Sequence, residues 1–333
     1  MIECIFTIDY EIYGNGTGSL NELVYEPAAR LSDIFRKWKA PFTSFVEVAE
    51  LEIIDAEATD QGIDSVKGQI RDSYREGLEL GLHLHPQWYN GYYEDKQWHL
   101  DYSEYNLCNL PRERIEQIVA RSIAYFRNVV GTVSFTPHSF RAGNWLFQPT
   151  QTMAKVLSEH GIKVDSSVFK GGLQHQHQLD YRHALTNKYY WKFLDDINIP
   201  DTNGSLLEIP IYTQLIPFWK IITPKRIHIQ QKGSSATDTS SHGIKRLWDF
   251  LRFKYPLKLD FCRMTINELT RMLDKVIKED QPDPKSFKPI VAIGHTKDLI
   301  DYDTIESFLS YLRQKEIKVS TLEEAYSKCI AGC

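Results

Sequence analysis

Two histidines end the third apolar segment of the sequence, at a spacing that suits a metal site. The strand predicted over residues 78–85 ends with His83 and His85, and Pro86 follows directly. Side chains alternate between the two faces of a strand, so both imidazoles lie on one face, where they can bind the same metal ion. Pro86 ends the strand because it has no backbone N–H. A packing or surface role for each histidine is the alternative.

Two carboxylates occupy the equivalent place after the first apolar segment. The strand predicted over residues 2–8 leads into Asp9, Tyr10 and Glu11. The same alternation puts Asp9 and Glu11 on one face and turns Tyr10 away from Asp9. Two carboxylates at one strand end can act as a metal ligand and as a general base. The alternative is a helix cap or a solvated turn before Gly14.

Three further polar residues follow later apolar segments. Arg141 can hold a catalytic carboxylate through paired hydrogen bonds. Asp165 can orient a histidine, with a local Asx turn as the alternative. His295 ends a strongly apolar strand, and the ordinary pKa of an imidazole suits a general acid near neutral pH.

Aromatic residues are numerous enough to form a sugar-binding surface: the chain has 18 Tyr, 16 Phe and 7 Trp. Aromatic side chains stack on sugar rings while their polar ends bind hydroxyl groups. The predicted substrate contacts are Trp145, Trp88 and Tyr10, and the alternative is that these rings fill the core. A second histidine pair, His175 and His177, lies in a polar stretch without a strand, which predicts a solvated loop.

The elements that position these residues alternate between strand and helix. Strands are predicted over residues 2–8, 42–48, 78–85, 139–142, 162–166, 206–212, 289–295 and 317–320. Helices lie between most of them, which predicts a parallel sheet with crossover helices. We therefore expect an α/β protein with a distorted (β/α)7-type barrel, in which functional residues lie at the C-terminal ends of strands. Residues 1–333 form one domain, with an insertion or lid over 170–260 and a flexible loop over 232–242.

Composition narrows the classes of protein. A formal net charge of −5 argues against nucleic acid as the partner, because phosphate binding needs clustered Lys and Arg. The five cysteines are scattered and odd in number, which argues against a disulfide scaffold. No apolar run reaches the ~18 residues that span a bilayer, and no leader-like segment precedes the first strand. We therefore expect a cytoplasmic protein, and its oligomeric state stays open.

Five motifs in this order resemble those of the NodB-homology polysaccharide deacetylases, a family of metal-dependent carbohydrate esterases with a distorted β/α barrel. The opening T-F-D-D segment of the family is similar to Thr7–Glu11, and its histidine motif is similar to His83–His85. The later motifs R-x-G-x-W, D-x-S and the closing histidine motif are similar to Arg141–Trp145, Asp165–Val168 and Ile293–His295.

The resemblance implies a role for each site residue. Asp9 would be the general base, and Arg141 would position it. His295, tuned by Asp165, would protonate the leaving amine. The two histidines of the His-x-His pair would bind one divalent metal ion, Zn²⁺ in the first place, with Co²⁺ or Ni²⁺ as alternatives.

Two departures from the family pattern concern the metal. Tyr10 stands where the family has a second aspartate ligand, so we assign that ligand role to Glu11. The histidines His83 and His85 lie two residues apart instead of four, and Gln87 occupies the four-residue position.

The implied reaction removes an N-acetyl group from an amino sugar in a glycan or glycan precursor. Because we expect a cytoplasmic protein, a nucleotide-linked, lipid-linked or free sugar is favoured over a cell-wall polymer. The alternatives are an amide hydrolase or deformylase acting on another substrate, and an inactive barrel that binds a glycan or a protein partner.

Overall fold

The computed structural model describes residues 1–220, 223–233 and 254–331. The strands are β1 (Ile2–Tyr10), β2 (Thr43–Glu47), β3 (Glu79–Leu84), β4 (Tyr92–Glu94), β5 (Gln97–His99), β6 (Ser139–Ala142), β7 (Val164–Asp165), β8 (Leu173–Gln174), β9 (Leu179–Asp180), β10 (Trp191–Phe193), β11 (Leu206–Glu208), β12 (Thr213–Pro217), β13 (Lys254–Lys258), β14 (Lys288–His295) and β15 (Lys318–Ser320). The α-helices are α1 (Glu26–Trp38), α2 (Val48–Glu57), α3 (Ile63–Arg75), α4 (Arg112–Val130), α5 (Gln151–Glu159), α6 (Pro224–Gly233), α7 (Ile266–Asp280), α8 (Tyr302–Gln314) and α9 (Leu322–Ala331).

Parallel strands in the described part of the chain curl into a distorted barrel. Their order is β11-β7-β6-β3-β2-β1-β14, with β10 antiparallel at the β11 edge and β15 beside β1. An isolated parallel bridge from Ile211 to Val291 joins the β11 end of this sheet to β14 at the other end. The predicted α/β class, a distorted (β/α)7-type barrel in one domain, is confirmed.

The barrel strands read as continuous apolar runs because helices cover the sheet on its outer side. Every residue of β1 after Ile2 is buried, and so is every residue of β14. On the outside of β1, the Phe6 ring packs edge-on against Phe35 of α1 and Phe308 of α8, at 5.0 and 5.7 Å between ring centroids. This packing anchors the outer side of β1, which lies between β2 and β14 and carries Asp9 at its C-terminal end.

Helix α2 was not predicted from the sequence, and it follows β2 without an intervening loop. Its buried residues include Val48, Leu51 and Ile54 but also Glu50, so no clean polar face marks a helical period. The side chain of Glu47 caps the helix by accepting a hydrogen bond from the Glu50 backbone N–H at 3.1 Å. Glu47 is thus both the last residue of β2 and the N-cap of α2.

Residues 170–260 contribute to the barrel as well as to its surface. Strands β10 and β11 belong to the central sheet, so this part of the predicted insertion is barrel. The antiparallel pairs β8–β9 and β12–β13 lie outside the central sheet. The predicted loop over 232–242 lies outside the described residues, except for its first two residues in α6.

Two expectations from composition concern covalent and membrane structure. Cys4, Cys108, Cys262 and Cys329 are free and buried, and Cys333 lies outside the described residues. Among the helices that the structure describes, none has both the length and the apolar character needed to cross a membrane.

Candidate active site

The C-terminal ends of β1, β3, β6 and β14 bring the predicted catalytic residues together. Strand pairing puts Asp9 beside His295, and His83 beside Arg141. Five residues meet there, and the side chains of all five are less than 10% exposed: Asp9, Glu11, His83, Arg141 and His295. The structure therefore brings these five residues together at one end of the barrel.

Glu11 and the two histidines form a cluster with the dimensions of a metal site. The Glu11 Oε2 atom lies 3.5 Å from His83 Nε2 and 3.2 Å from His85 Nε2. Ligand atoms bound tetrahedrally at about 2.1 Å from one ion are about 3.4 Å apart. The three side chains therefore fit a divalent ion, and a second group of possible ligand atoms joins Asp9, Glu11 and His295.

The rings of both histidines are held from behind. His83 Nδ1 lies 2.8 Å from the backbone oxygen of Arg141, which leaves Nε2 for a ligand. His85 Nδ1 contacts the side-chain amides of Gln87 and Asn144, each at 3.3 Å. Gln87 thus supports His85 on the side away from Glu11. Gly143 allows this arrangement, because a Cβ there would lie 2.5 Å from the Leu84 carbonyl oxygen.

The electrostatic environment favours positive charge at the cluster. Burial opposes a charged imidazole, but Asp9 and Glu11 outweigh it and raise the pKa of His83 to about 9. Burial lowers the pKa of His85. Metal-free His83 therefore holds a proton on the side where Glu11 and His85 converge, and a divalent ion can replace that proton.

Lys297 completes the surroundings of Glu11. Its ammonium group donates hydrogen bonds to Glu11 Oε1 at 2.8 Å and to the Ile12 carbonyl at 3.0 Å. Burial disfavours the Glu11 carboxylate, yet Lys297 and both histidines hold its pKa well below the usual range. Glu11 is therefore ionised, with one oxygen on Lys297 and the other directed at the histidines.

Arg141 fixes the second carboxylate. Its guanidinium is fully buried and donates to Asp9 Oδ1 at 2.6 Å, to Thr7 Oγ1 at 2.9 Å and to the Ser166 carbonyl at 2.9 Å. Burial raises the pKa of Asp9, but Arg141, His83 and His295 together hold it below its usual value. Asp9 is thus an ionised carboxylate with a fixed orientation.

His295 faces Asp9, and its other nitrogen faces Asp298. Nε2 lies 3.4 Å from Asp9 Oδ2, and Nδ1 lies 3.6 Å from Asp298 Oδ2. Burial lowers the pKa of His295, although both carboxylates act against this shift. The Asp298 carboxylate is itself held by Arg263 at 2.7 Å.

The expectation that Asp165 tunes His295 needs correction. Both Asp165 oxygens accept hydrogen bonds from Ser167, one from the hydroxyl at 2.8 Å and one from the backbone N–H at 3.0 Å. No hydrogen bond or ion pair within the described residues joins Asp165 to His295. The local Asx-type turn, the alternative from sequence, describes Asp165 better, and Asp298 takes the place beside the histidine.

The three predicted aromatic contacts have different surroundings. Trp88 is fully buried and packs against Trp98 at 5.1 Å between centroids, so it has no face for a substrate. The Tyr10 hydroxyl donates to Gln69 at 2.5 Å in the helical layer behind the sheet. Both expectations are corrected: strand alternation turns Tyr10 outward, and the turn after Pro86 directs Trp88 into the core.

Trp145 does lie at the site, 6.2 Å from His295 between ring centroids. Its ring face is covered by Lys258 of β13, whose Nζ is 3.0 Å from the ring centroid. Burial lowers the pKa of Lys258 to about 7, with Asp260 acting against the shift. Lys258 comes from the predicted lid segment, and no sequence signal connects it to Trp145.

Three site residues were missed although the sequence carried a signal for each. Glu47 ends β2 beside His83, and burial raises its pKa to about 8. Lys297 and Asp298 follow His295 directly. The rule that selected the other candidates, polar residues at strand ends, also covers these three when applied to every strand and to the first turn after it.

The second histidine pair lies on a turn of the hairpin β8–β9. His175 is exposed, in agreement with the predicted solvated loop. His177 is half-buried, and its ring lies 4.8 Å from that of Tyr105. Neither histidine belongs to the groups of possible metal ligands found among the described residues.

Two solved structures with this fold are described as polysaccharide deacetylases. A Mycobacterium smegmatis protein described as a polysaccharide deacetylase matches with a TM-score of 0.57 and 15% identity, over 99% of this chain and 91% of its own. The chain has the polysaccharide-deacetylase fold. A second protein so described, from Pseudomonas aeruginosa PAO1, matches with a TM-score of 0.50 and 12% identity, over 98% and 90% of the two chains.

The fold is also found in a protein described as an allantoinase. The PuuE allantoinase matches with a TM-score of 0.50 and 11% identity, over 98% of this chain and 89% of its own. No protein-family model matches the sequence, and no curated protein matches it. The structural likeness therefore establishes the fold, and the activity has to be argued from the site.

Proposed function

We propose that this protein is a metal-dependent hydrolase that removes an N-acetyl group from an amino sugar. One observation carries the proposal: Glu11, His83 and His85 form a ligand cluster directly beside an Asp9 carboxylate that Arg141 holds in place. Amide hydrolysis needs a base for the attacking water, an acid for the leaving nitrogen and an electrophile for the carbonyl. All three functions have a candidate here.

A bound metal ion would supply the electrophile. Glu11 Oε2, His83 Nε2 and His85 Nε2 would hold the ion, with Zn²⁺ as the first candidate and Co²⁺ or Ni²⁺ as alternatives. When bound, a divalent ion provides Lewis acidity to the acyl carbonyl and to the attacking water.

Asp9 is the proposed general base. Its ordinary protonation state at neutral pH is the carboxylate, because Arg141, His83 and His295 hold its pKa low despite burial. Oδ1 is fixed by Arg141, and Oδ2 faces His295 Nε2 at 3.4 Å. Asp9 thus accepts a proton from water at a fixed position, and Arg141 acts as a positioning residue.

His295 is the proposed general acid. Its Nε2 atom lies beside Asp9 Oδ2, so a proton taken from water by Asp9 has a short path to His295 and then to the leaving nitrogen. The Asp298 carboxylate lies 3.6 Å from His295 Nδ1, and its negative charge stabilises the protonated form of the His295 ring. Asp165 has no part in this proton path.

Metal content and acetate release test the proposal together. The protein should be purified, stripped with a chelator, reloaded with Zn²⁺ and assayed for acetate from N-acetylglucosamine oligosaccharides. Glu11→Gln and His83→Ala should lose metal and activity together, and exposed His175→Ala is the matched control. A protein that binds no Zn²⁺, Co²⁺ or Ni²⁺ would refute the enzyme assignment and favour an inactive glycan-binding barrel. Activity on a non-sugar amide alone would favour the amide-hydrolase alternative.

A further inference from the structure

Two buried carboxyl groups lie side by side at the ends of β7 and β11. Asp165 and Glu208 are direct partners in the parallel pairing of these strands, and both are 0% exposed. Residues in this register direct their side chains to the same face of a sheet. Neither residue belongs to the proposed metal ligands or to the proposed proton path. We call Asp165 and Glu208 the carboxyl pair.

The hydrogen bonds of the carboxyl pair leave one oxygen without a donor. Asp165 accepts from Ser167 with both oxygens, and Glu208 Oε1 accepts from the Val168 backbone N–H at 3.1 Å. Glu208 Oε2 is buried, and no N–H or O–H group of the described residues donates to it. The two side chains are in hydrogen-bonding contact with each other. Because carboxylates only accept hydrogen bonds, such a contact needs a proton on one of them.

No cation within the described residues forms an ion pair with either carboxyl group. Four charged or titratable groups face the pair from neighbouring elements, and each has another partner: Arg141 of β6, Lys170 after β7, Tyr181 after β9 and Cys108 before α4. The Arg141 guanidinium donates to Asp9, and the Lys170 ammonium donates to two backbone carbonyls at 2.6 and 2.7 Å. The Tyr181 hydroxyl and the Cys108 thiol also donate to backbone carbonyls. The carboxyl pair therefore has no hydrogen-bonded counter-ion.

Burial and mutual repulsion keep one proton on the carboxyl pair. Burial raises the pKa of Asp165, and burial together with the Asp165 charge holds the pKa of Glu208 well above its usual range. Two adjacent carboxyl groups of this kind titrate as a unit, because both cannot be charged at once. Glu208 Oε2 is the position for the proton, since both oxygens of Asp165 already accept hydrogen bonds.

We propose that Glu208 keeps a proton at neutral pH and donates it to Asp165, and that this bond fastens β7 to β11 beside the turn that supports Arg141. In that turn the Ser166 carbonyl accepts from Arg141 Nε, and Ser167 Oγ accepts from the Ala142 backbone N–H, each at 2.9 Å. Loss of the shared proton leaves two adjacent buried negative charges, so the support of Arg141 weakens as pH rises. The inference goes beyond the proposed function and depends neither on a metal ion nor on acetate release.

The pH dependence of folding tests the shared proton. Urea unfolding is measured between pH 6 and pH 8 for the wild type and for Glu208→Gln, whose carboxamide donates to Asp165 without titrating. Because the pKa of Glu208 is raised in the folded state, the stability that its proton contributes is fully present below the unfolded pKa and is lost as pH rises through the folded pKa. One extra bound proton should make the wild-type folding constant fall about tenfold per pH unit relative to Glu208→Gln.

Two further variants complete this comparison. Glu208→Met has a similar length and no titratable group, so it should give the same change per pH unit even if Glu208→Gln does not fold. The matched control is Glu113→Gln at an exposed position of α4, for which the ratio of folding constants to wild type should stay constant. A constant ratio for Glu208→Gln or Glu208→Met would overturn the shared proton.

Hydrogen exchange tests whether the carboxyl pair fastens the strands. The Ile209 backbone N–H donates to the Asp165 carbonyl at 2.9 Å, and Ala142 donates to the same turn. At pH 7 both amides should exchange at similar rates in the wild type and in Glu208→Gln, but about tenfold faster in Glu208→Met, which has no donor to Asp165. Amides of α7 should exchange alike in all three proteins. Equal exchange of Ile209 and Ala142 in all three would overturn the fastening role.

Discussion

Removal of the Arg141 charge should destabilise the protein because it leaves the buried Asp9 carboxylate without its cationic partner. Arg141 is 0% exposed and Asp9 is 2% exposed, and their contact at 2.6 Å is the shortest that Asp9 makes to a cation. Breaking a buried pair by removing one partner costs about 3–5 kcal/mol. Arg141→Met should therefore lower the free energy of unfolding by about that amount at pH 7, measured by urea denaturation.

The pH dependence identifies the cause. The pKa of Asp9 is held below its unfolded value, so its pairing contributes stability that is present above the unfolded pKa and is lost as pH falls through the folded pKa. In Arg141→Met, burial without the guanidinium makes Asp9 take up a proton more readily. The difference between wild type and variant should therefore shrink between pH 7 and pH 4.

A double-mutant cycle completes this test. Asp9→Asn with Arg141→Met leaves no buried charge at the pair, so the combined loss should be smaller than the sum of the single losses by about 2 kcal/mol or more. Arg112 forms an exposed pair with Glu159, and Arg112→Met should cost less than about 1 kcal/mol. Additive losses, or a pH-independent difference, would refute the assignment of Arg141 as the residue that holds Asp9.

Three further predictions concern the proposed chemistry. Asp9→Asn should leave fold and zinc content intact but lower turnover by about two orders of magnitude or more, and unchanged acetate release would exclude Asp9 as the base. In the metal-free protein the pKa of His83 is raised to about 9. The protonated His83 ring therefore stabilises the folded state; this stabilisation is fully present below the unfolded pKa and is lost as pH rises through about 9. Zinc binding at pH 7.5 should accordingly release a proton, which calorimetry detects as a dependence of enthalpy on the buffer; no dependence would contradict this. Asp298→Asn should lower the pKa of His295 and move the alkaline limb of kcat to lower pH, whereas Asp165→Asn should not; equal shifts would count against the corrected pairing.

The barrel could be predicted because buried parallel strands and amphipathic helices leave separate periods in the sequence. Helix α4 shows this, with Ile115, Ile118, Val119 and Ile123 buried along one face. Helix α2 could not be predicted, because it is buried around most of its circumference and its Glu50 is buried with the apolar residues. The antiparallel pairing of β10 with β11 depends on tertiary contacts that no local pattern encodes.

The site residues likewise fall into those that the sequence predicts and those that it does not. Strand ends predict Asp9, Glu11, His83 and His295, because alternation and sheet pairing together fix where those side chains lie. The partner of His295 could not be chosen from spacing, since both Asp165 and Asp298 follow strands. Contacts made by the surface hairpins lie beyond any local rule, and Lys258 over the Trp145 ring is the example.

The position of β1 between β2 and β14 has a consequence for how the chain acquires its site during synthesis. Asp9 and Glu11 are made long before the strand that flanks them, β14, which lies at residues 288–295. Until then β1 can pair only with β2 along Thr7–Tyr10, and its remaining backbone groups face water or a chaperone. This long sequence separation between paired strands predicts slow folding. A chain that ends before residue 288 would lack β14 and His295, so the candidate active site could not assemble.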